Sequence, residues 1–280
     1  MIPGFLLVDK PAGPTSHDIV SEARKRLGTG EIGHAGTLDP PATGLLLLAV
    51  GRATALLQFT DFDKSYRAVV RLGAETDTLD AAGKVLSTKP VTCTPDEAAA
   101  AARALAGTRK QRPPMVSAVK VGGRRLHELA REGKEVDRPE RTVTVSRLDV
   151  LRVALPDIEL DLDCTSGTYV RVLAADLGAA LGCGAHLLSL RRTRVGPFHV
   201  ADAVPPDRID ASRLIPPVAA VAHLPGREVT APEADGVSHG RPVSWEGKGL
   251  VRLVREGKMC AIAEGDGRMA KVKRGFPEGL

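Results

Sequence analysis

A glycine-punctuated loop that runs straight into an uninterrupted apolar segment constrains this chain more than any other feature. The loop, Gly33–Gly44, reads Gly-His-Ala-Gly-Thr-Leu-Asp-Pro-Pro-Ala-Thr-Gly, and the apolar run Leu45–Val50 follows it directly. An apolar run of this length, bounded by turn residues, predicts a buried strand that holds the loop from behind. Asp39 precedes a proline and is expected to be extended or in a turn. Such an aspartate can be a nucleophile or a general base, or an ordinary Asx turn, and the local pattern alone favours the turn.

Length and composition predict one large domain with a small one, or two medium-sized domains. The chain has 280 residues, of which 43% are hydrophobic and 26% charged, which is enough for a sizeable core. It has no apolar stretch of about 20 residues and no charged-then-apolar secretory start. We therefore expect a soluble, cytoplasmic protein with no membrane association.

The four cysteines, at positions 93, 164, 183 and 260, form no CxxC pair and have no histidines at ligand spacing. This arrangement does not predict a structural zinc site or any other metal centre. We interpret the cysteines as free thiols in a reducing compartment.

Positive charge is concentrated in three parts of the chain. Residues 109–147 hold eleven Lys and Arg against five Asp and Glu, and residues 248–274 hold eight against three. A third cluster, Arg191, Arg192 and Arg194, lies between them. Each cluster alone could be ordinary solvated surface. Three of them in a chain with a pI near 9.1 favour a nucleic acid as partner.

Helices and strands alternate irregularly along the chain, without a repeated β-α-β unit. This order predicts an α+β fold built on a mixed, largely antiparallel sheet. The expected strands are 5–8, 45–50, 66–72 and 158–164, and the expected helices are 16–27, 95–105 and 170–181. A proline-rich stretch over 205–225 predicts a junction between residues 1–222 and residues 223–280, whose short valine-rich runs favour a small β-barrel-like module.

One motif formally suggests a dinucleotide-binding site, but the elements predicted around it do not fit one. Residues 28–33 read Gly-Thr-Gly-Glu-Ile-Gly and formally match GxGxxG. A dinucleotide site needs a strand before this motif and a helix after it. Here a predicted helix precedes it and a loop follows, so we do not expect a nucleotide cofactor. No Walker A pattern occurs either.

Further segments extend the pattern of the Gly33–Gly44 loop over about the first 200 residues. They are Gly4–Pro11, Lys64–Arg67, Gly167–Arg171, Gly182–Leu187 and Leu190–Arg192. In this order they resemble the pseudouridine synthases that modify the TΨC arm of tRNA, the tRNA pseudouridine synthase B family. The tail resembles, more loosely, a PUA RNA-binding module. The resemblance implies the pseudouridine synthase fold followed by a small β-rich PUA-like domain.

The resemblance implies that the chain isomerises a uridine in the T-loop of tRNA, at position 55, to pseudouridine, after the base has flipped out of its stack. Asp39 would be the catalytic nucleophile, and Arg171 would hold it ionised and oriented through a bidentate contact. Tyr66 would stack on the uracil and could take the proton from C5. Because the reaction oxidises nothing and loses no group, no cofactor is expected. Attack at C1′, addition at C6 and a glycal route all remain open for Asp39.

The resemblance also implies a set of residues that bind the substrate. Tyr169 would pack beneath the site and Leu190 would form an apolar wall, while Lys10 would support the pocket. His34 would lie near the space that the flipped base leaves, and Arg191 belongs to the closing segment. The basic insertion over 109–147, including 115–120 and 124–126, would close over the RNA loop.

Two other classes of function stay open. A non-catalytic RNA-binding protein could retain the scaffold, although binding alone does not require Asp39, Tyr66 and Arg171 together. A hydrolase with an aspartate nucleophile would need a second acid or a metal ligand near the loop, and the sequence around Asp39 offers none. Our expectation is a monomeric enzyme whose partner is the T-arm stem-loop of tRNA.

Overall fold

The computed structural model describes residues 2–117, 120–121, 123–126, 132 and 136–280. Its strands are β1 (Gly4–Lys10), β2 (Ile32–His34), β3 (Thr43–Val50), β4 (Lys64–Leu72), β5 (Ala74–Thr76), β6 (Val85–Thr88), β7 (Gly107–Gln111), β8 (Lys120–Val121), β9 (Arg124–Arg125), β10 (Arg141–Ala154), β11 (Asp157–Cys164), β12 (Ala185–Val195), β13 (Phe198–His199), β14 (Gly226–Glu228), β15 (Val243–Ser244), β16 (Lys248–Arg255), β17 (Lys258–Asp266) and β18 (Met269–Gly275). The α-helices are α1 (Ser16–Leu27), α2 (Pro95–Arg103), α3 (Val170–Ala180), α4 (Pro217–Ala220) and α5 (Ala231–Ser238). Short 3-10 segments, the longest Gly51–Phe59, join them.

The main sheet carries the strand order β1-β3-β12-β4-β11-β10-β7, with β2 added beside β3 and β13 beside β12. Every neighbouring pair is antiparallel except β3 and β12, which run parallel. The predicted α+β class with a mixed, largely antiparallel sheet is therefore confirmed. The parallel pair places the start of β3, directly after the Asp39 loop, beside Arg191 and Arg192 of β12.

Strands β1 and β3 are buried on both faces, which explains the uninterrupted apolar run at 45–50. Leu46 and Leu48 pack with Ile19 and Val20 of α1 on one face. Leu45 and Leu47 pack on the other face, in a cluster that includes residues of the C-terminal part. A strand with only one buried face would alternate apolar and polar residues, as β11 does with its strictly alternating burial.

Local signals account for the helices that the sequence predicts. Thr15 caps α1 in a reciprocal capping box with Asp18, and Thr94 caps α2 in the same way with Glu97. The sequence predicts that α2 reaches residue 105, but the helix ends at Arg103, and the amides of Leu105 and Ala106 bond three residues back rather than four. Gly28, first residue of the GxGxxG match, is the left-handed cap of α1 with φ 63°. The helix that the sequence predicts before the match is therefore present.

A second sheet forms the C-terminal part, with the order β14-β16-β17-β18-β15. It has its own apolar cluster, which includes Val251, Leu253 and Ala263. Met259, Ile262 and Phe276, by contrast, pack with Phe5 and Leu7 of β1. The two sheets therefore share part of their core, and the division at 222/223 stays a prediction. No described helix is long and apolar enough to span a membrane.

Candidate active site

The loop between β2 and β3 carries Asp39, and Lys10 at the end of β1 holds it in place. The Lys10 ammonium is fully buried and donates hydrogen bonds to the carbonyls of Pro40 (3.1 Å) and Ala42 (2.7 Å). Burial lowers the pKa of Lys10 to about 8, against the opposing effect of the Asp39 carboxylate. Lys10 thus fixes the backbone that follows Asp39, and its position is that of a structural residue.

The backbone that precedes Asp39 is held by two further buried side chains. Ser16 Oγ accepts from the amide of Leu38 (2.8 Å) and donates to its carbonyl (2.9 Å). The Arg192 guanidinium, 1% exposed, donates to the carbonyls of Gly36 (3.1 Å) and Thr37 (3.4 Å). Buried polar backbone groups need such partners. The loop therefore presents Asp39 in one fixed orientation.

Arg171, on the first turn of α3, contacts the Asp39 carboxylate, the residue with which the resemblance pairs it. Its Nη2 lies 3.1 Å from Asp39 Oδ2, and its side chain is 4% exposed against 38% for Asp39. The same guanidinium donates to the carbonyls of Thr78 (2.9 Å) and Val116 (2.8 Å). Backbone contacts from two other segments thus fix Arg171 behind a carboxylate that remains accessible.

Asp80 is a second carboxylate that the sequence did not reveal. Its Oδ2 lies 3.5 Å from Arg171 Nη1, so the guanidinium is shared between two carboxylates rather than forked onto Asp39. Asp80 also accepts from the Thr78 hydroxyl (2.7 Å) and the Ala82 amide (3.1 Å). In sequence this pattern is an ordinary Asx turn. A carboxylate that is distant from Asp39 in sequence thus shares the Arg171 guanidinium with it.

The pKa of Asp39 is raised above its ordinary value. Burial is the main cause, and the charge of Asp80 adds to it, while Arg171 and Lys10 act in the opposite direction. A raised pKa makes the ionised carboxylate a stronger base than a free one.

Tyr66 of β4 lies across from Arg192 in the sheet register and is buried. Burial raises the pKa of Tyr66, and the neighbouring Arg192 guanidinium opposes that shift. Tyr169, the residue before α3, is half-buried, and its amide and carbonyl both bond to the side chain of Gln111 (3.0 and 3.3 Å). The side chain of Tyr169, the N-cap residue of α3, makes no capping hydrogen bond, and Gln111 instead holds the backbone at this helix start. Only the folded structure reveals this role, since Gln111 lies 58 residues away.

These side chains surround a cavity of about 440 Å³, a size typical of small-molecule sites. Its lining consists of Gly36, Thr37, Leu38, Asp39, Lys64, Tyr66, Ser117, Arg141, Ser166, Gly167, Thr168, Tyr169, Val170, Arg171, Leu190 and Arg192. The cavity brings together Asp39, Tyr66, Arg171, Tyr169 and Leu190, all of which were predicted to form the site. Their individual roles stay predictions.

Three predicted substrate-binding residues lie outside the cavity lining: Lys10, described above, His34 and Arg191. His34 is half-buried on β2, where burial and the nearby Arg192 lower its pKa. Arg191 points away from its neighbour Arg192 and forms a two-armed contact with Asp9, at 3.0 and 2.7 Å. The sequence cluster of arginines therefore divides between the cavity wall and a separate ion pair.

The basic insertion is only partly described. Residues 118–119, 122, 127–131 and 133–135 lie outside the described residues, and so do the parts of the predicted RNA-closing element that fall on them. Val116 and Ser117, at the start of the insertion, reach the site through the Arg171 bond and the cavity lining. Within the described part of the chain, no group of three or more His, Cys, Asp and Glu could hold a metal ion.

Comparison with known proteins places this geometry in a family. The model of the TruB family pseudouridylate synthase N-terminal domain matches residues 24–170, and that of the tRNA pseudouridylate synthase B C-terminal domain matches residues 171–214. The tRNA pseudouridine synthase B of Aromatoleum aromaticum is 47% identical over 277 residues, covering 95% of this chain and 90% of that protein. The protein of the same name from Thermobifida fusca is 46% identical over 279 residues, covering 94% and 95%.

Two solved structures share the fold across both sheets. A chain of a Cbf5-Nop10-Gar1 complex is 27% identical with a TM-score of 0.74, and covers 98% of this chain and 84% of that one. A chain of an H/ACA RNP bound to a substrate RNA containing 2′-deoxyuridine is 25% identical with a TM-score of 0.73, at the same coverage. The fold and the Asp39 site thus define an RNA-modifying isomerase of the pseudouridine synthase class. Within that class, the chain belongs to the TruB family.

Proposed function

We propose that this protein converts a uridine in the T-loop of tRNA, at position 55, to pseudouridine, with Asp39 as the catalytic nucleophile. The observation that carries the proposal is the Asp39 carboxylate, ion-paired to buried Arg171 on the wall of a cavity that also contains Tyr66. Relatives 46–47% identical over nearly the whole chain bear the name tRNA pseudouridine synthase B.

The reaction breaks the C1′–N1 bond of the uridine, rotates the uracil and joins C1′ to C5. N1 gains a proton and C5 loses one, so atoms and electrons balance without an external reactant. Asp39 acts on C1′, on C6 or on the 2′ proton in the three routes that remain open. Tyr66 lies on the same cavity wall, where a stacked uracil would bring C5 within reach of its hydroxyl.

RNA binding is supported by charge around the cavity. Arg141 lines the rim, is exposed, and forms no ion pair with a described residue. The cation-rich segments 109–147 and 248–274 supply the sequence-independent part of affinity. Loops of RNA are recognised by shape and by splayed bases, which fits a cavity that takes in one nucleotide.

The experiment that tests this function measures release of tritium from tRNA transcripts labelled at C5 of uridine. Forming the C5–C1′ bond expels that hydrogen into water, whereas hydrolysis of the C1′–N1 bond would release free uracil instead. We expect one equivalent of tritium per transcript, no free uracil, and loss of the signal when the T-loop uridine is replaced by cytidine. Free uracil, or tritium release that persists after the replacement, would refute the proposal.

A monomer in the cytoplasm is the form that we propose for the enzyme. The exposed large apolar residues of the described chain are few and scattered: Ile2, Val85, Leu86, Val116 and Leu151. A stable dimer needs a continuous patch. Light scattering after size exclusion checks this, and a mass of twice 29.5 kDa would contradict it.

A further inference from the structure

Two buried cations on the cavity wall lack a carboxylate partner. Lys64 is 8% exposed and Arg192 is 1% exposed, and both line the cavity. Neither forms an ion pair with any residue that the structure describes. Buried charges are normally paired, because an uncompensated one is costly. This part of the cavity therefore carries surplus positive charge.

The hydrogen bonds of Lys64 leave room for one more acceptor. Its ammonium donates to the Phe62 carbonyl (2.7 Å) and to Ser166 Oγ (3.0 Å), and an ammonium has three donors. Arg192, in contrast, already donates to the carbonyls of Leu45, Gly36 and Thr37. Lys64 is thus the cation that is free to bind a ligand, and Arg192 contributes charge behind it.

The two cations meet beside the catalytic loop. A Cβ placed on Gly36 would lie 3.4 Å from Lys64 Cε and 3.6 Å from Arg192 Nη1, and Gly36 is three residues before Asp39. Burial and the Arg192 charge lower the pKa of Lys64, and the exposed carboxylates of Asp61 and Asp63 oppose that shift without cancelling it. An anion that enters the cavity next to Asp39 would neutralise the surplus.

We propose that Lys64, together with Ser166 Oγ, binds a phosphodiester of the substrate RNA next to the nucleotide that enters the cavity. This inference rests on the proposed function, because a nucleotide drawn into the cavity brings its two flanking phosphodiesters with it. Phosphate is the anionic group of RNA, and a charge-assisted hydrogen bond to it is stronger than a neutral one. The bond anchors the nucleotide at the end of the cavity formed by Gly36 and Ser166.

A combined protein and substrate substitution tests the contact. Wild type and Lys64→Met are each assayed on a T-arm hairpin whose linkage 5′ or 3′ of the target uridine is a neutral methylphosphonate. For wild type, one of the two neutral linkages should lower kcat/KM about tenfold or more. For Lys64→Met, the same linkage should change kcat/KM by less than about threefold, because the partner of the phosphate is already absent.

Two variants serve as controls. Arg67→Gln removes an exposed cation on the same strand, 68% exposed and paired with Asp161, and should keep the full response to the neutral linkage. Lys64→Arg keeps the charge and should recover part of the lost kcat/KM. The proposal is overturned if both neutral linkages affect wild type and Lys64→Met equally, or if Lys64→Met lowers kcat alone, as stabilisation of a charged uracil would predict.

The proposal remains testable if Lys64→Met does not fold. In that case wild type alone is assayed over a range of salt concentrations. The slope of log kcat/KM against log salt should become less steep by about one unit with the critical neutral linkage. It should not change with a neutral linkage placed two nucleotides away. An equal slope for every position would overturn it. Failure of the proposed function is separate, since wild type would then form no pseudouridine in the unmodified hairpin.

Discussion

Arg171 contacts two carboxylates, Asp39 and Asp80, and the charges of Arg171 and Asp80 act together with burial on the ionisation of the candidate nucleophile. Asp80 raises the pKa of Asp39 and Arg171 lowers it, against a background of burial that raises it. The bonds from Thr78 and Ala82 fix Asp80 on one side, and the carbonyls of Thr78 and Val116 fix Arg171 on the other. The reactivity of one side chain therefore depends on contacts that come from distant segments.

Asp39→Asn should abolish turnover and leave tRNA affinity within a few-fold of wild type, because a neutralised carboxylate removes no phosphate contact. Filter binding of a T-arm hairpin measures the affinity, and tritium release measures turnover. A loss of affinity of several orders of magnitude would instead mean that Asp39 holds the loop together.

Asp80→Asn should move the acidic limb of the kcat/KM profile to lower pH. The Asp39 carboxylate must be ionised to react, so activity falls as the pH drops through its raised pKa. Removing the charge of Asp80 removes one cause of that raised pKa. Among the described residues, Asp39 is then the only charged carboxylate that contacts the Arg171 guanidinium. Asp149→Asn, which changes a carboxylate on β10 that is 58% exposed, should leave the acidic limb in place. A shift to higher pH would contradict the assignment.

Arg171→Lys should be severely impaired although it conserves the charge. A single ammonium cannot reach Asp39 and Asp80 while also donating to the carbonyls of Thr78 and Val116. The expected loss is about 100-fold or more in kcat, measured by single-turnover kinetics. Turnover close to wild type would show that charge alone suffices.

The Asp39 loop is rigid because buried side chains of other elements bind its backbone. Lys10 at the end of β1, Ser16 of α1 and Arg192 of β12 each bond to loop peptide groups. A loop rich in glycine would otherwise sample many conformations. The three elements convert a flexible sequence into a fixed platform for Asp39.

Ser16→Ala should lower kcat and leave KM within a few-fold, because both bonds to the Leu38 backbone are lost next to Asp39. Thr15→Ala is the matched control, since it removes the cap of the same helix at a cost of about 1 kcal/mol without touching the loop. We expect similar losses of melting temperature for the two variants and a loss of kcat only for Ser16→Ala. Equal kcat values for Ser16→Ala and Thr15→Ala would contradict the claim that the Ser16 bonds position Asp39.

Local sequence signals predict the elements well and the site in part. The capping boxes at Thr15 and Thr94, the alternation of β11 and the buried run of β3 all act within a few residues. Asp80, Lys64 and Gln111 acquire their roles only through partners that are distant in the chain, such as Arg171, Ser166 and Tyr169. No local pattern distinguishes Asp80 and Gln111 from ordinary polar residues, and Lys64 stands out only as the first residue of the Lys64–Arg67 segment.

The whole molecule is held together by an apolar cluster that both sheets share. Met259, Ile262 and Phe276 from the C-terminal part pack with Phe5 and Leu7 of β1, and β1 ends at Lys10 beside the Asp39 loop. The C-terminal sheet therefore supports the strand that positions the site, apart from any contribution to RNA affinity.

Thermal unfolding should be a single transition that Phe276→Ala shifts as a whole. The only tryptophan, Trp245, packs against the cluster of the C-terminal sheet, so its fluorescence reports that sheet while circular dichroism reports the entire fold. The two curves should coincide in wild type, and Phe276→Ala should lower both together by about 3–5 kcal/mol of stability. A fluorescence transition well below the dichroism transition would show that the sheets unfold independently.

The most direct test of the account maps pseudouridine in an unmodified tRNA transcript after incubation with wild type or Asp39→Asn. Carbodiimide treatment followed by primer extension marks each pseudouridine as a stop. We predict one new stop in the T-loop, at position 55, with wild type and none with Asp39→Asn. No stop despite tight binding of the tRNA, or a stop that survives in Asp39→Asn, would contradict the claim that Asp39 carries out the isomerisation.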